Sequence, residues 1–170
     1  MKNNYPKLLG FILATIYFFN CVYNPATLNG NWHFINSLDL IIHEAGHALV
    51  PTSILGEVMT ALGGSAFEIL VPLVFAGYFL RRRDMFSASI LAMWAAENIA
   101  YVSVYIGDSL KMNLNLLGGE AAIHDWNFIL GHMNLLVQTD ILAKIAYASA
   151  WILFVIAFSF GLNTFFKNEN

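Results

Sequence analysis

The sequence predicts an all-α, polytopic membrane bundle of about four transmembrane helices plus a short, partly inserted helix. Composition gives the solvent: of 170 residues, 58% are hydrophobic and only 11% are Asp, Glu, Lys or Arg, against about 25% charged in an ordinary soluble domain. Mean hydropathy is +0.62, so lipid is the expected surrounding. The same figures exclude a disordered chain and, with a formal charge of -3 and no basic face, a nucleic-acid binder. Segmentation gives the count, because a helix needs about 20 apolar residues to cross the hydrocarbon core. Runs near 7–24, 57–80, 85–107 and 140–166 meet that length.

The first run follows Lys2 and Lys7 in the order of a signal peptide. No Ala-x-Ala-like cleavage site follows it, and Tyr17, Phe18, Phe19 and Tyr23 fill its far end, so it reads as a retained span. The second and third runs are joined by Arg81, Arg82, Arg83 and Asp84, a tight turn that belongs in water. The fourth has no charge from Ile145 to Phe166, and Asp140 with Lys144 is spaced as an i,i+4 pair at its start. A single integral membrane domain over 1–170 is expected, with no separate soluble module. Cys21, the one cysteine, closes no intrachain disulfide, and no thiolate metal cluster is present.

The fifth apolar run, Phe34 to Val50, is short and carries Asp39, His43, Glu44 and His47 before Pro51 stops it. A full crossing would leave four of the eight Lys/Arg residues on each side. A run that returns to the side it came from puts Lys2, Lys7, Arg81, Arg82, Arg83 and Lys167 on one side and Lys111 and Lys144 on the other. Six against two fits the positive-inside rule better. The expected topology is therefore a cell-membrane protein with both termini cytoplasmic and the 107–139 loop outside. A re-entrant segment needs protein or a water-filled cavity around it, so a polar cavity open to the outer side is expected.

His43-Glu44-Ala45-Gly46-His47 is an HExxH. Residues four apart share a helix face, so two imidazoles converge on one Zn²⁺ while Glu44 reaches water at the metal. Zinc brings that water towards a neutral pKa, and Glu44 is placed to take its proton and pass it to a leaving group. Ionisable groups at membrane depth cost several kcal/mol if unused, and their default reading is functional. The bland alternative is an interfacial helix whose His and Glu only touch water.

A catalytic zinc takes three protein ligands and keeps one open position. Candidates for the third are Glu68, Glu97, Asp108, Glu120, His124, Asp125 and His132. His124 and Asp125 lead, since they are adjacent, follow the Gly118-Gly119 loop and precede a helical pattern over 126–137. The competing reading makes Asp125 the N-cap of that helix and His124 an exposed loop histidine. His132 reads as interfacial. Glu68 lies 13 residues before Arg81 and Glu97 13 after Asp84, which puts both about 20 Å deep at 1.5 Å per residue. Glu68 is either a ligand or half of a protonated pair with Glu97 that locks two helices, and Glu97, beside Asn98, is alternatively a partner that orients a ligand histidine. Small residues at Ala61, Gly63, Gly64, Ser65 and Ala66 suit close helix packing. Pro72 is expected to kink its helix or free a carbonyl, Trp32, Tyr101 and Trp126 to anchor at the interface, and Asp108 to be a solvated helix end.

The segment His43-Glu44-Ala45-Gly46-His47-Ala48-Leu49, in an apolar setting ending near Pro51, resembles the membrane-embedded zinc metallopeptidases of the site-2 protease type. The likeness covers about a dozen residues. It implies His43 and His47 as zinc ligands, Glu44 as general base and an aspartate on a later membrane segment as third ligand, which favours Asp125 over His124. The Asn-Pro/Asp-Gly setting usual for that aspartate is replaced here by His124-Asp125-Trp126. The chain also resembles a set of small uncharacterised bacterial membrane proteins with HExGH and a late His-Asp-Trp. Three functions stay open on the sequence: a zinc intramembrane peptidase acting on a membrane protein, a zinc hydrolase of lipid amides or esters, and a non-catalytic metal-binding scaffold. No residue pattern marks an oligomeric state.

Overall fold

A computed structural model describes residues 5–29, 34–117 and 123–166. Glu120, Gly118, Gly119, Trp32, Lys2 and Lys167 lie outside the described residues. The chain forms α1 (Tyr5–Tyr23), α2 (Phe34–Leu49), α3 (Thr52–Leu55), α4 (Glu57–Arg81), α5 (Met85–Asp108), α6 (Asp125–His132) and α7 (Thr139–Phe166), with no strand among the described residues. The architecture is the all-α bundle expected, and four of its helices are long and apolar enough to cross a membrane.

α5 is the axle. Of its apolar stretch 56% is buried inside the protein, against 17–28% for the other three, so α1, α4 and α7 lie further towards the outside of the bundle. The main core packs Phe11, Phe18 and Val22 of α1 against Met93, Ala96 and Ala100 of α5 and Ala150, Phe154 and Ala157 of α7. Alanines on α5 bring the aromatic rings of its neighbours close, the packing device available where the solvent itself is apolar. α4 runs without interruption through a buried Pro72.

Side-chain contacts fix which ends coincide. Lys7 lies over the Phe86 ring and Phe165 packs on Phe86, so the start of α1, the Arg81–Asp84 turn and the end of α7 share one end of the bundle. Asn29 reaches Tyr101 and Gly107 faces Ala143, so the other connections gather at the opposite end. α2 does not cross. Its Asp39 is level with Trp94 near the middle of α5, and from there it rises beside α4 to His47 and Thr60, ending on the side where α1 ended. The Asp84 carboxylate caps α5 through Ser87 N. Those hydrogen bonds, from the Ser87 hydroxyl and backbone N–H, hold its carboxyl below the usual range against a small burial penalty.

Two expectations about helix starts are corrected. The pattern over 126–137 resolves into α6, ending at His132, and a separate 3₁₀ turn at Leu136–Gln138, because Asn134 takes a positive φ of 56° and breaks the helix. Asp140 and Lys144 form no ion pair among the described residues. The start of α7 is held instead by Thr139, whose hydroxyl donates to Leu136 O and lies 3.0 Å from Ser109 Oγ on α5.

Candidate metal centre

α2 lies against α4 through glycine. A Cβ on Gly46 would come within 2.7 Å of the Gly63 carbonyl carbon, and one on Gly63 within 2.7 Å of Gly46 O. The two backbones therefore touch at this level, and side chains a turn away on either helix are brought face to face. Gly64 does the same for the imidazole of His43, whose Cδ2 would sit 2.6 Å from a Cβ there. The small-residue stretch of α4 thus forms the wall on which the first HExxH histidine rests.

Three candidate ligands meet. Ligand atoms of His43, His47 and Asp125 all lie within 4.8 Å of one another. Both imidazoles turn Nε2 towards Asp125 Oδ2, at 3.2 Å and 3.3 Å. Each ring is held from behind by its other nitrogen: His43 Nδ1 lies 3.2 Å from Glu68 Oε2, and His47 Nδ1 lies 2.8 Å from the Thr60 carbonyl. That is the arrangement of a metal-binding histidine, with Nδ1–H donated to a carboxylate or carbonyl and Nε2 left for the ion. Asp125 is steadied in turn by Tyr105, whose hydroxyl donates to Oδ2 at 3.2 Å and accepts from the Asp125 backbone N–H at 3.1 Å.

The electrostatics suit a cation. Burial pushes the Asp125 carboxyl up, but the two imidazoles outweigh it and hold it at about 2, so it stays ionised. Burial pushes His43 down, and the Asp125 and Glu68 carboxylates override this and carry it to about 10. The carboxylates thus favour positive charge at the rings, and a divalent ion, which displaces the ring protons as it binds, would meet two imidazoles and a carboxylate, a donor set that suits zinc. The residues present fit the metal that the motif implies.

Glu68 stands behind His43, on the nitrogen turned away from the common point. Its depth follows from the count along α4; its partner does not. The pair expected between Glu68 and Glu97 is absent among the described residues: Asn98, not Glu97, reaches Glu68, donating Nδ2 to its backbone carbonyl. Glu97 is 1% exposed, and its Oε2 meets no hydrogen-bond partner among the described residues. Glu97→Gln keeps that shape without an ionisable group, so the expected result is a folded protein of equal or slightly higher stability, by up to about 1 kcal/mol. Thermal unfolding in detergent checks it.

His124 is not in the cluster. It is the N-cap of α6, the role expected of Asp125, with Nδ1 accepting from Asn127 N and Nε2 3.3 Å from Asp108 Oδ2. It is also buried rather than exposed, and that burial, only partly offset by Asp108, lowers its pKa. Asp108 is likewise no solvated end, since its carboxylate accepts from the backbone N–H groups of Asn113 and Leu114. His132 is exposed and its ring packs at a tilt on Phe128 of its own helix. Trp126 donates to Ser65 Oγ on α4, and Tyr101 accepts from Asn29, so both join elements inside the protein.

Glu44 is exposed and lines a cavity of about 400 Å³ that also touches His43 and Glu68. The sequence reading missed Tyr105, Thr60 and the cavity residues Asn29 and Asn36. For Tyr105 a signal was present: it lies four residues after Tyr101 and three before Asp108, on the α5 face that meets the site. No family model, curated protein or solved structure matches the chain.

Proposed function

We propose that the protein is a membrane-embedded, zinc-dependent hydrolase that cleaves amide bonds, an intramembrane metallopeptidase. The observation that carries this reading is the convergence of His43 Nε2, His47 Nε2 and an Asp125 oxygen, each ring braced from behind, beside a free Glu44 at a cavity. The aspartate on a later segment is also what the likeness to site-2-protease-type enzymes implies. Zinc held by these three residues supplies a Lewis acid that polarises a carbonyl and acidifies water.

The chain's own groups do the rest. Glu44 accepts a proton from the attacking water and returns it to the leaving nitrogen. Glu68 and the Thr60 carbonyl keep the two rings in one tautomer and orientation, and Tyr105 keeps Asp125 turned towards them. The Arg81–Asp84 turn and the start of α1 share one end of the bundle, so the positive-inside rule makes that end cytoplasmic and opens the cavity on the outer face of the cell membrane.

The test is Glu44→Gln on purified protein. Zinc content is expected to stay at the wild-type level while cleavage of a membrane-protein substrate falls by a factor of about 10²–10⁴. Retained cleavage would overturn the assignment, and unchanged cellular function would make the protein a metal-binding scaffold. Proteomics beside lipidomics of a deletion strain identifies the class of bond, and a change confined to lipids would replace the peptidase by a lipid hydrolase.

A further inference from the structure

The cavity beside the three ligands is lined by three carboxyl groups and one imidazole. Asp39, Glu44 and Glu68 line it, together with His43, and no Lys or Arg does so among the described residues. Away from His43, a phosphate or carboxylate entering it would meet only carboxyl groups. Its remaining surface is apolar, from Leu28, Leu40, Leu116, Leu117 and Ile123, with asparagine and tyrosine between. Glu44 and Glu68 have tasks in the hydrolytic reading. Asp39 has none.

Asp39 is 4% exposed. Its Oδ1 is fixed by the Trp94 indole N–H at 2.7 Å, and its Oδ2 is buried without a hydrogen bond of normal geometry among the described residues, with the Asn98 amide close by. A buried acceptor left unmatched costs several kcal/mol, so its place in a cavity wall asks for a donor from the cavity side. Two further unmatched polar atoms stand nearby, Glu97 Oε2 and Tyr17 Oη, and both groups are within electrostatic reach of Asp39. The floor therefore holds three polar oxygens without hydrogen-bond partners among the described residues. Asn36 faces the same space with its Nδ2 already donated to Leu28 O. Asp39 precedes His43 by four residues, which puts it on the same face of α2 about 6 Å along the axis. That spacing is short enough for one small molecule to touch both Asp39 and the metal ligands.

We propose that this cavity is a subsite for a primary ammonium group, anchored by Asp39, and that the substrate carries it next to the bond to be cut, as the free amino terminus of a peptide does. The apolar walls take the first side chain, and the first carbonyl falls beside His43, His47 and Asp125. The word substrate rests on the hydrolase reading; the binding does not.

L-Leucinamide and 4-methylpentanamide differ only in the ammonium. Thermal unfolding of the purified, zinc-loaded protein in detergent, titrated with each, is expected to show saturable stabilisation by leucinamide at about a tenfold lower concentration. Asp39→Asn is expected to erase that preference with metal content unchanged. Trp94→Phe, which keeps the acid but frees it, is expected to reduce it severalfold, and reports on the site if the first variant does not fold. His47→Ala weakens binding of both probes and keeps the preference, so failure of the metal reading and failure of this one look different. Equal stabilisation by the two probes, a preference that survives Asp39→Asn, or sodium chloride reproducing the leucinamide effect at the same concentrations would overturn the proposal.

Discussion

Alanine at His43, His47 or Asp125 is expected to remove zinc from the purified protein, from about one ion per chain to less than about a tenth. A three-ligand site that loses one donor keeps too few bonds to compete with water and buffer. The three variants should be nearly equal, because ligand atoms of the three side chains meet at one place. Two neighbours give the contrast that makes the result diagnostic. Glu68→Gln removes the charge behind His43 but leaves both ring nitrogens, so zinc affinity should fall about 10–100-fold without vanishing. His124→Gln should leave affinity unchanged, since His124 faces Asp108 and Asn127. Metal analysis after dialysis against a graded chelator series reads all five. Zinc retained in Asp125→Ala and lost in His124→Gln would assign the third ligand to the other member of the pair.

That ordering marks where the sequence stops being legible. Spans come from hydropathy and length, which is why the run near 57–80 becomes Glu57–Arg81 and that near 85–107 becomes Met85–Asp108. A one-residue error at a lipid-facing end changes little. HExxH is equally legible, since i and i+4 share a face whatever the helix packs on. His124 against Asp125 is a different problem. Adjacent residues at a helix start point about 100° apart on a 3.6-residue turn, so moving the start by one residue exchanges the cap for the ligand. Spacing alone does not set that start. It is set by tertiary contacts, the Tyr105 hydroxyl on the Asp125 N–H and the Asp108 carboxylate on His124. Glu68 fails in the same way, because counting along α4 gives depth and says nothing of which neighbour stands at that depth. Asp39 was visible among the ionisable residues of its run, yet its task depends on a cavity built from Leu28, Tyr101 and Leu117, residues far apart in the chain.

Gly46→Ala is expected to be the most damaging change that touches no ligand. The added methyl would press on the Gly63 carbonyl, with its carbon at 2.7 Å and the Phe67 Cβ at 2.9 Å, and backbone cannot rotate away as a side chain can. α2 and α4 must separate, at a cost of about 1–3 kcal/mol or more for overpacking. The separation acts where His43 meets Glu68 and His47 meets Thr60. Gly64→Ala tests the same wall from the other side. Its methyl meets the His43 ring, which cannot swing clear without leaving Glu68 or Asp125. Gly46→Ala should therefore lower both the unfolding temperature and zinc affinity, whereas Gly64→Ala should lower zinc affinity with a smaller loss of stability. Gly77, where a Cβ meets nothing within 4 Å, serves as the control, and its alanine variant should behave as wild type. Equal behaviour of all three variants would mean that close approach of α2 to α4 does not hold the site together.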